Sequence, residues 1–400
     1  MDITERLEKA RAVLSPIVHS TPLQYSFTLS EWVSHPIYLK CENFQKTGSF
    51  KVRGAYFKLS QLTPVEREKG VIACSAGNHA QGVAYAASKL GIEATIVMPE
   101  FASISKIEAT KGYGGKVILY GGTFDEAQEK ALEISKDTGK IFISPYDDLD
   151  IIAGQGTIGL EILDKLPDVD MVMVPIGGGG LIAGIASAIK KVRSKTKVIG
   201  VQTKAFPNVY NALSKGRIDL EGSSETIADG IAVKKPGKLT LEIISDLVDD
   251  IILVEEEEIA SAILFLLERC KMMVEGAGAV GVAGIMYNKT LLKGNIVAIL
   301  SGGNIDVNLL STIIERGLTK SGRRLRFITP ILDRPGELNK LLSIIAQVKA
   351  NIISIHHERL NPILPIGSVE VEISVETRGK EHSQEVINAI SAAGYKLSIL

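Results

Sequence analysis

The chain has 400 residues, of which 45% are hydrophobic and 23% are charged, and its formal net charge is -1. This length predicts two or three domains with a large buried core. A charge so near zero argues against a nucleic-acid-binding protein and against a polybasic membrane-surface protein, because both classes typically carry a strong positive excess.

The cysteines and the N-terminus are typical of a cytoplasmic protein. The three cysteines are far apart and form no CxxC pair, so neither a disulfide framework nor a zinc ribbon is expected. The first five residues contain acids where a signal peptide needs positive charge, so cytoplasmic localisation is expected. Residues 171–189 are uncharged, but Pro175 and four glycines interrupt them, which predicts a buried strand, a turn and a buried helix rather than a membrane span.

Strand-like and helix-like segments alternate through about residue 300. The predicted strands are short, apolar and rich in β-branched residues: 71–74, 94–98, 116–120, 171–174, 198–201, 251–254 and 296–300. Helical patterns separate them, including residues 80–90, 105–111 and 124–136. Uniformly apolar strands separated by helices are typical of parallel sheets that are covered on both faces. The predicted class is therefore α/β, with more than one open sheet.

The pattern changes after about Gly322. Strands are predicted at residues 326–332, 352–356, 369–375 and 395–400, with helices beginning near residues 337 and 380. The order β-α-β-β-α-β, within about 75 residues, is that of the ferredoxin-like unit. The basic stretch 316–324 contains two glycines and is predicted to be a linker.

The first candidate catalytic residue is a lysine in an unusual sequence context. Lys51 follows a Gly-Ser turn and the aromatic residue Phe50, and it stands at the start of a predicted helix. A lone lysine is usually a solvated surface charge. Burial against Phe50 would make the amine easier to deprotonate and able to form a Schiff base.

Two further loops, each between a strand and a helix, are candidate anion sites. The first consists of Ser75, Ala76, Gly77, Asn78 and His79, and the second of Gly177, Gly178, Gly179, Gly180 and Leu181. Backbone N–H groups at a helix N-terminus bind anions where no bulky side chain intervenes. The first loop suits an amino-acid carboxylate, and an ordinary turn with a capped surface histidine is the alternative. The second suits a phosphate; a dinucleotide site is less favoured because Gln202 stands where a ribose-binding acid is expected.

A fourth segment, residues 301–304, also follows a strand and begins with Ser301, whose neutral hydroxyl could face a ring nitrogen. Alone, this segment is more simply a turn. Together, a Schiff-base lysine, a carboxylate site, a phosphate site and a hydroxyl are what pyridoxal phosphate and an amino acid require. The three loops stand at strand carboxyl ends, where open α/β sheets bind ligands.

These motifs, in this order, resemble the fold-type II pyridoxal-phosphate enzymes and, among them, the threonine dehydratases (threonine ammonia-lyases). The similarity runs from about residue 5 to residue 318, and the tail from Arg326 resembles an ACT domain. The resemblance implies a catalytic domain over residues 1–320 and a ferredoxin-like ACT regulatory domain over 326–400. The catalytic domain would have a large subdomain, about 1–45 and 151–320, and a small one, about 46–150.

The resemblance also implies roles for the motif residues. Lys51 would hold the cofactor covalently and later remove the Cα proton, Phe50 would pack on the ring, and Asn78 would bond the 3′ oxygen. Backbone groups of residues 177–181 would take the phosphate, and Ser301 would face the pyridine nitrogen. Residues 75–79 would receive the substrate carboxylate, and Glu275 matches a glutamate near the ring. The implied reaction converts L-threonine into 2-oxobutanoate and ammonia, and L-serine into pyruvate.

Departures from related enzymes narrow these expectations. Serine racemases have a second serine as a base where this chain has Ala76, so racemisation is not expected. Some relatives hold a cation through a glutamate where this chain has Gln202, so no metal is expected there. A β-replacement synthase such as an O-acetylserine sulfhydrylase, and a non-catalytic amino-acid sensor, are the rival functions.

The tail is expected either to bind an amino-acid effector or to serve only in dimerisation. The effector contacts would come from the turn that contains Asp333, Gly336 and Leu338, together with Asn351. Such domains commonly bind effectors between subunits, so a homo-oligomer, a dimer or a tetramer, is expected. Isoleucine biosynthesis and threonine catabolism both stay open as the biological role.

Overall fold

The computed structural model of the chain describes residues 2–216, 225–359 and 365–400. The chain divides into two compact units, Met1–Asp306 and Val307–Leu400. The strands are β1 (Leu23–Tyr25), β2 (Ile37–Cys41), β3 (Val71–Cys74), β4 (Ala94–Met98), β5 (Lys116–Leu119), β6 (Ile141–Phe142), β7 (Met171–Pro175), β8 (Lys197–Thr203), β9 (Asp250–Val254), β10 (Ile296–Leu300), β11 (Arg324–Leu332), β12 (Asn351–Glu358), β13 (Ser368–Glu376) and β14 (Ser398–Ile399).

The described α-helices occur in both units. They are α1 (Ile3–Leu14), α2 (Phe27–Val33), α3 (Lys51–Ser60), α4 (Pro64–Lys69), α5 (Asn78–Leu90), α6 (Ile104–Gly112), α7 (Phe124–Thr138), α8 (Leu149–Lys165), α9 (Gly180–Val192), α10 (Asn208–Lys215), α11 (Lys238–Leu247), α12 (Glu256–Phe265), α13 (Gly276–Tyr287), α14 (Val307–Lys320), α15 (Glu337–Gln347) and α16 (Lys380–Ala392). Within the described residues, no helix has both the length and the apolarity needed to cross a bilayer.

The first unit contains two open sheets. One has six strands in the order β1-β2-β10-β7-β8-β9, in which only the β1–β2 pair is antiparallel. The other has four parallel strands in the order β5-β4-β3-β6. Strands β3, β4, β7 and β10 are buried throughout, as their uniformly apolar sequences predicted. The predicted α/β class is confirmed, and so is the strand–turn–helix structure of residues 171–189.

Close helix packing fixes the start of α3. A Cβ atom at Gly154 of α8 would lie 2.6 Å from the Cα of Gly54 in α3, so only glycines permit this contact. On the other side, a Cβ at Gly82 of α5 would lie 3.1 Å from the backbone carbon of Lys51. Helix α3 is therefore held by α8 and α5 at its first residues, where Lys51 stands.

A buried ion network anchors the same helix. Arg53 donates from Nε and Nη2 to the two Glu42 oxygens, each at 2.8 Å, and from Nη1 to Glu161 Oε1 at 2.6 Å. Lys40 Nζ donates to Glu161 Oε2 at 2.5 Å. Arg53, Glu42 and Lys40 are inaccessible to solvent. Their burial is tolerable because every charge has a partner of opposite sign.

The second unit contains one antiparallel sheet in the order β12-β13-β11-β14, with α15 after β11 and α16 after β13. The β-α-β-β-α-β succession and this strand order confirm the predicted ferredoxin-like arrangement. Helix α14 belongs to this unit, so the division falls at Asp306 and Val307, one helix before the boundary expected near residues 320–326. Residues 316–324, expected as a linker, form the end of α14, a short turn at 321–323 and the first residue of β11.

Candidate active site

A cavity of about 1020 Å³ lies at the carboxyl ends of β3, β7 and β10. Every residue predicted to bind the cofactor or the substrate carboxylate lines it: Phe50, Lys51, Ser75, Ala76, Gly77, Asn78, His79, Gly177, Gly178, Gly179, Gly180, Leu181 and Ser301. Strand β3 belongs to the four-stranded sheet and β7 and β10 to the six-stranded sheet, so strands of both sheets end at this cavity. The structure therefore brings all four sequence motifs together.

Lys51 presents its amine to this cavity from the first position of α3. Its Nζ donates to the Pro145 carbonyl oxygen at 2.8 Å and lies 5.3 Å from the centroid of the Phe50 ring. Burial lowers the pKa of Lys51 to about 8, although the nearby Glu275 acts in the opposite direction. A sizeable fraction of this amine is thus neutral near pH 8 and able to act as a nucleophile or a base.

The loop after β3 leads directly into the N-terminus of α5. Gly77 is the N-cap residue, and no side chain in the described part of the chain caps this helix start. His79 is buried, and its Nε2 lies 3.0 Å from the Ile143 carbonyl oxygen. Because that oxygen can only accept, Nε2 carries the hydrogen. Burial and the Lys51 charge lower the pKa of His79 to about 3, so the ring is neutral. The alternative of a surface histidine is wrong.

The glycine loop leads in the same way into α9. Gly179 is its N-cap residue with φ of 97°, and no described side chain caps this helix start either. A Cβ at Gly178 would lie 2.2 Å from Tyr146 Cδ1, and one at Gly180 would lie 3.0 Å from Tyr146 Cα. Internal packing therefore already requires glycine at 178 and 180. The feature that favours a phosphate site is the open helix N-terminus at the cavity.

The segment after β10 is connected to the lysine and to the loop after β3. Ser301 is buried, and its carbonyl oxygen accepts from the Phe50 N–H at 3.1 Å. Asn304 Nδ2 donates to Asn78 Oδ1 at 2.7 Å, and Asn78 Nδ2 donates to Glu275 Oε1 at 2.6 Å. Burial raises the pKa of Glu275 to about 7, and Asp229 acts in the same direction.

Several cavity residues were missed by the sequence analysis. Tyr146 follows β6, a strand of only two residues and too short to recognise, and its hydroxyl donates to the Lys235 carbonyl oxygen at 2.8 Å. Lys106 and Asp229 form an ion pair at 2.6 Å, and both line the cavity. These residues carry no motif of their own, and only the folded chain brings them to the site.

The residues proposed for an effector lie in the second unit. Asp333 directly follows β11 and pairs with Arg359 at 3.1 Å, Gly336 is the N-cap of α15, and Leu338 packs against the core of the unit. Asn351 begins β12.

The sheet register separates the two parts of this proposed site. Leu332, next to Asp333, pairs with Ser368 at the start of β13, whereas Asn351 pairs with Glu376 at its end. At about 3.3 Å per residue, the two parts are about 26 Å apart. Within one chain they do not form a single site.

The cavity fits pyridoxal phosphate. It offers an amine with a lowered pKa, two helix N-termini that no described side chain caps, for two anionic groups, and a buried serine hydroxyl. Within the described residues, no cluster of three or more His, Cys, Asp or Glu side chains could hold a metal ion. At Gln202, the position raised for a cation, Nε2 donates to the Phe206 carbonyl oxygen at 3.2 Å and Oε1 accepts from the Tyr210 N–H at 2.9 Å.

Comparisons with known proteins agree with this site. Residues 14–302 match the model of the pyridoxal-phosphate dependent enzyme family. The chain is 52% identical over 397 residues to L-threonine ammonia-lyase of Thermotoga maritima, with 99% of each chain covered. The processed form of threonine deaminase isoform 2 from Solanum lycopersicum superposes with a TM-score of 0.75 at 41% identity, covering 78% of this chain and 87% of that one. For maize serine racemase the TM-score is 0.74 at 35% identity, with coverage of 79% and 98%. The chain therefore belongs to the pyridoxal-phosphate dependent enzymes and, within them, to the family of the L-threonine ammonia-lyases.

Proposed function

We propose that this protein uses pyridoxal phosphate to convert L-threonine into 2-oxobutanoate and ammonia, and L-serine into pyruvate and ammonia. The observation that carries the proposal is the position of Lys51. Its amine, with a pKa lowered to about 8, lies in the same cavity as two helix N-termini that no described side chain caps. An amine, a carboxylate site and a phosphate site are what this cofactor and an amino-acid substrate need.

Lys51 performs two tasks in this account. Bound pyridoxal phosphate withdraws electrons from the α-carbon of an attached amino acid, which favours loss of a proton and then of the β-hydroxyl group. Before substrate arrives, Nζ of Lys51 would hold the cofactor. The same Nζ, when free of the cofactor, would accept the Cα proton of the substrate as a general base. Water leaves in the elimination and returns in the hydrolysis that releases ammonia.

The remaining residues bind and orient. N–H groups of residues 75–79 receive the substrate carboxylate, and those of residues 177–181 receive the phosphate. The Phe50 ring would pack against the cofactor ring, and the Asn78 amide would bond its 3′ oxygen. The Ser301 hydroxyl would face the ring nitrogen as a neutral partner and would leave that nitrogen largely unprotonated. A weaker electron sink favours β-elimination over transamination.

Racemisation is the nearest rival, since maize serine racemase has a similar fold. Moving the Cα proton to the opposite face needs a second base, and Ala76 in the carboxylate loop has no group that can hold a proton. We therefore expect no D-serine from L-serine, which chiral chromatography of the product would check. A pure protein that stays colourless after cofactor addition would instead favour a non-catalytic sensor.

We also propose that the second unit binds an amino-acid effector between two copies of the chain. Asp333 and Asn351 lie at opposite ends of β13, so an effector that touches both needs one of them from each copy. This supports a homo-oligomer, a dimer or a tetramer. Residues 1–320 remain the proposed catalytic domain and residues 326–400 the proposed regulatory domain, although α14 groups with the second unit.

The function is tested by adding L-threonine to the cofactor-loaded protein and measuring 2-oxobutanoate. Lys51→Ala should lower kcat by about 1,000-fold or more, the range expected when a covalent anchor and general base are lost. Lys89→Ala, at an exposed lysine of α5, is the matched control and should stay within about twofold of the parent, as surface substitutions usually do. Cysteine from O-acetylserine and sulfide, without 2-oxobutanoate from threonine, would point to a synthase instead.

A further inference from the structure

A continuous chain of hydrogen bonds at the cavity joins three of the four motifs to Glu275. Asn304 Nδ2 donates to the Thr47 carbonyl oxygen at 2.9 Å and to Asn78 Oδ1 at 2.7 Å. Asn78 Nδ2 then donates to Glu275 Oε1 at 2.6 Å. Asn78, Glu275 and Asn304 all line the cavity.

The direction of this chain follows from its two ends. The Thr47 partner is a backbone carbonyl, which can only accept, so the nitrogen of the Asn304 amide must face it. The second N–H of that nitrogen points to Asn78, so the Asn78 oxygen lies on this side. The Asn78 nitrogen therefore lies on the other side, where Glu275 offers an acceptor. An amide whose orientation is otherwise ambiguous is thus fixed by its neighbours.

Two motif glycines make room for the chain. Gly48 has φ of 71°, and a Cβ there would lie 2.3 Å from Asn304 Oδ1. A Cβ at Gly302 would lie 2.3 Å from Glu275 Oε1. Real Cβ atoms do not approach so closely, so any other residue at either position would displace a member of the chain. Gly48 of the lysine motif and Gly302 of the segment after β10 are thus required for the same reason: both leave space for the hydrogen-bonded side chains.

This chain of hydrogen bonds uses only one of the two N–H donors of the Asn78 amide. The amide nitrogen of Asn78 carries two hydrogens, and Glu275 takes one of them. Glu275 is almost completely buried, with 5% of its surface exposed, so water does not readily replace it as the acceptor. The second N–H of Asn78 remains available to a ligand.

We propose that Asn304 and Glu275 are positioning residues, which orient the Asn78 amide so that it presents an N–H rather than a carbonyl oxygen to the bound cofactor. This inference rests on the proposed function, in which Asn78 bonds the 3′ oxygen of pyridoxal phosphate. An N–H donor stabilises negative charge on that oxygen, whereas a carbonyl oxygen would repel it. The charge state of the 3′ oxygen sets the position of the cofactor's absorption band.

The test uses full-length variants and two readouts besides activity: the cofactor dissociation constant of the cofactor-free protein, and the absorption spectrum from pH 6 to about 9. Asn304→Asp replaces the donor by an acceptor at the same size. Glu275→Leu removes the acceptor, and Glu275→Gln keeps one through Oε1. Asn388→Asp, at an exposed position of α16 where Gln384 can still donate to the new carboxylate, is the control.

Asn304→Asp and Glu275→Leu should each raise the dissociation constant by about tenfold to a hundredfold, the effect of a misdirected buried hydrogen-bonding group. Both should also shift intensity from the visible band to the near-ultraviolet band. Glu275→Gln should stay within about threefold of the parent, with its spectrum, because it keeps the Oε1 acceptor. Asn388→Asp should do the same because the Asn388 side chain is exposed. If Asn304→Asp does not fold, as judged by circular dichroism, the Glu275→Gln and Glu275→Leu pair decides.

Parent-like spectra and affinities in both Asn304→Asp and Glu275→Leu would overturn the positioning role. So would equal losses in Glu275→Gln and Glu275→Leu, since the charge of Glu275 rather than its acceptor would then matter. A parent that shows no visible band after cofactor addition would contradict the proposed function itself. The two failures are therefore distinguishable.

Discussion

Lys51 and Glu275 show how burial adjusts single residues of this cavity. Desolvation is the largest cause for both, and it lowers the pKa of the lysine to about 8 and raises that of the glutamate to about 7. Each charge partly opposes the shift of the other. Burial therefore favours the neutral form of both groups.

The raised pKa of Glu275 has a consequence for stability. Since the folded state holds its proton up to about pH 7, against an ordinary value of 4.5, the folded state binds more protons than the unfolded state between these values. The contribution of Glu275 to the unfolding free energy therefore falls as pH rises through this window and is constant above it.

Glu275→Gln removes this titration, so the variant should gain stability relative to the parent as pH rises from about 4.5 to about 7. The measurement is the difference in Tm between the two cofactor-free proteins across that range. Using the difference cancels the titration of the groups that do not interact with Glu275. A difference that does not change with pH would mean that Glu275 has an ordinary pKa in the folded protein.

At the scale of single elements, the sequence predicted the strands that carry the site because β3, β4, β7 and β10 are uniformly apolar and buried. The strand β2 escaped prediction. Its Lys40 reads as a surface residue, yet Glu161 pairs with it in the interior. An ion pair between residues so far apart in sequence leaves no local sequence pattern by which it could be predicted. For the same reason, the packing of Tyr146 against the glycine loop could not be foreseen.

The N-terminus of α9 gives a prediction at this scale. Gly179→Ala forces a side chain into a position with φ of 97° and a predicted approach of 2.9 Å to the Thr240 side chain. We expect it to weaken cofactor binding by about tenfold, since a backbone displaced at this turn no longer aims its N–H groups at the phosphate. Fluorescence titration of the cofactor-free protein measures this.

Gly91→Ala is the matched control, because Gly91 also has a positive φ, of 66°, but has open space around its Cβ position and lies outside the cavity lining. It should lower Tm through the same backbone strain without changing cofactor affinity. Equal cofactor affinity in Gly179→Ala and Gly91→Ala would contradict a phosphate site at the start of α9.

For the whole molecule, the order of elements was accessible from sequence, but distances across a sheet were not. The β-α-β-β-α-β succession of the second unit could be predicted from its alternating patterns. The register of β13 could not, and it is the register that places Asp333 and Asn351 about 26 Å apart. A regulatory site that uses both residues therefore requires an assembly of at least two copies of the chain.

Co-expression of two variants tests whether the regulatory site is shared between copies of the chain. We expect isoleucine, valine or leucine to change the activity of the parent, and Asp333→Ala and Asn351→Ala each to lose the response. Because one site takes one residue from each copy, co-expressed Asp333→Ala and Asn351→Ala chains form hybrid assemblies with one intact site. The mixture should therefore regain part of the response.

A response in the parent that the mixture does not regain would contradict the shared site. Activity that is indifferent to these and other amino acids in the parent would remove the regulatory role and leave dimerisation as the function of the second unit.

The central claim, that Lys51 anchors pyridoxal phosphate, is tested most directly by a covalent map. The cofactor-loaded protein is reduced with borohydride, which makes the lysine–cofactor bond permanent, and its peptides are analysed by mass spectrometry. We predict the added mass of the reduced cofactor on Lys51 alone, with loss of the absorption band near about 410 nm that a lysine-bound cofactor gives. The added mass on another lysine, or on none, would contradict the account.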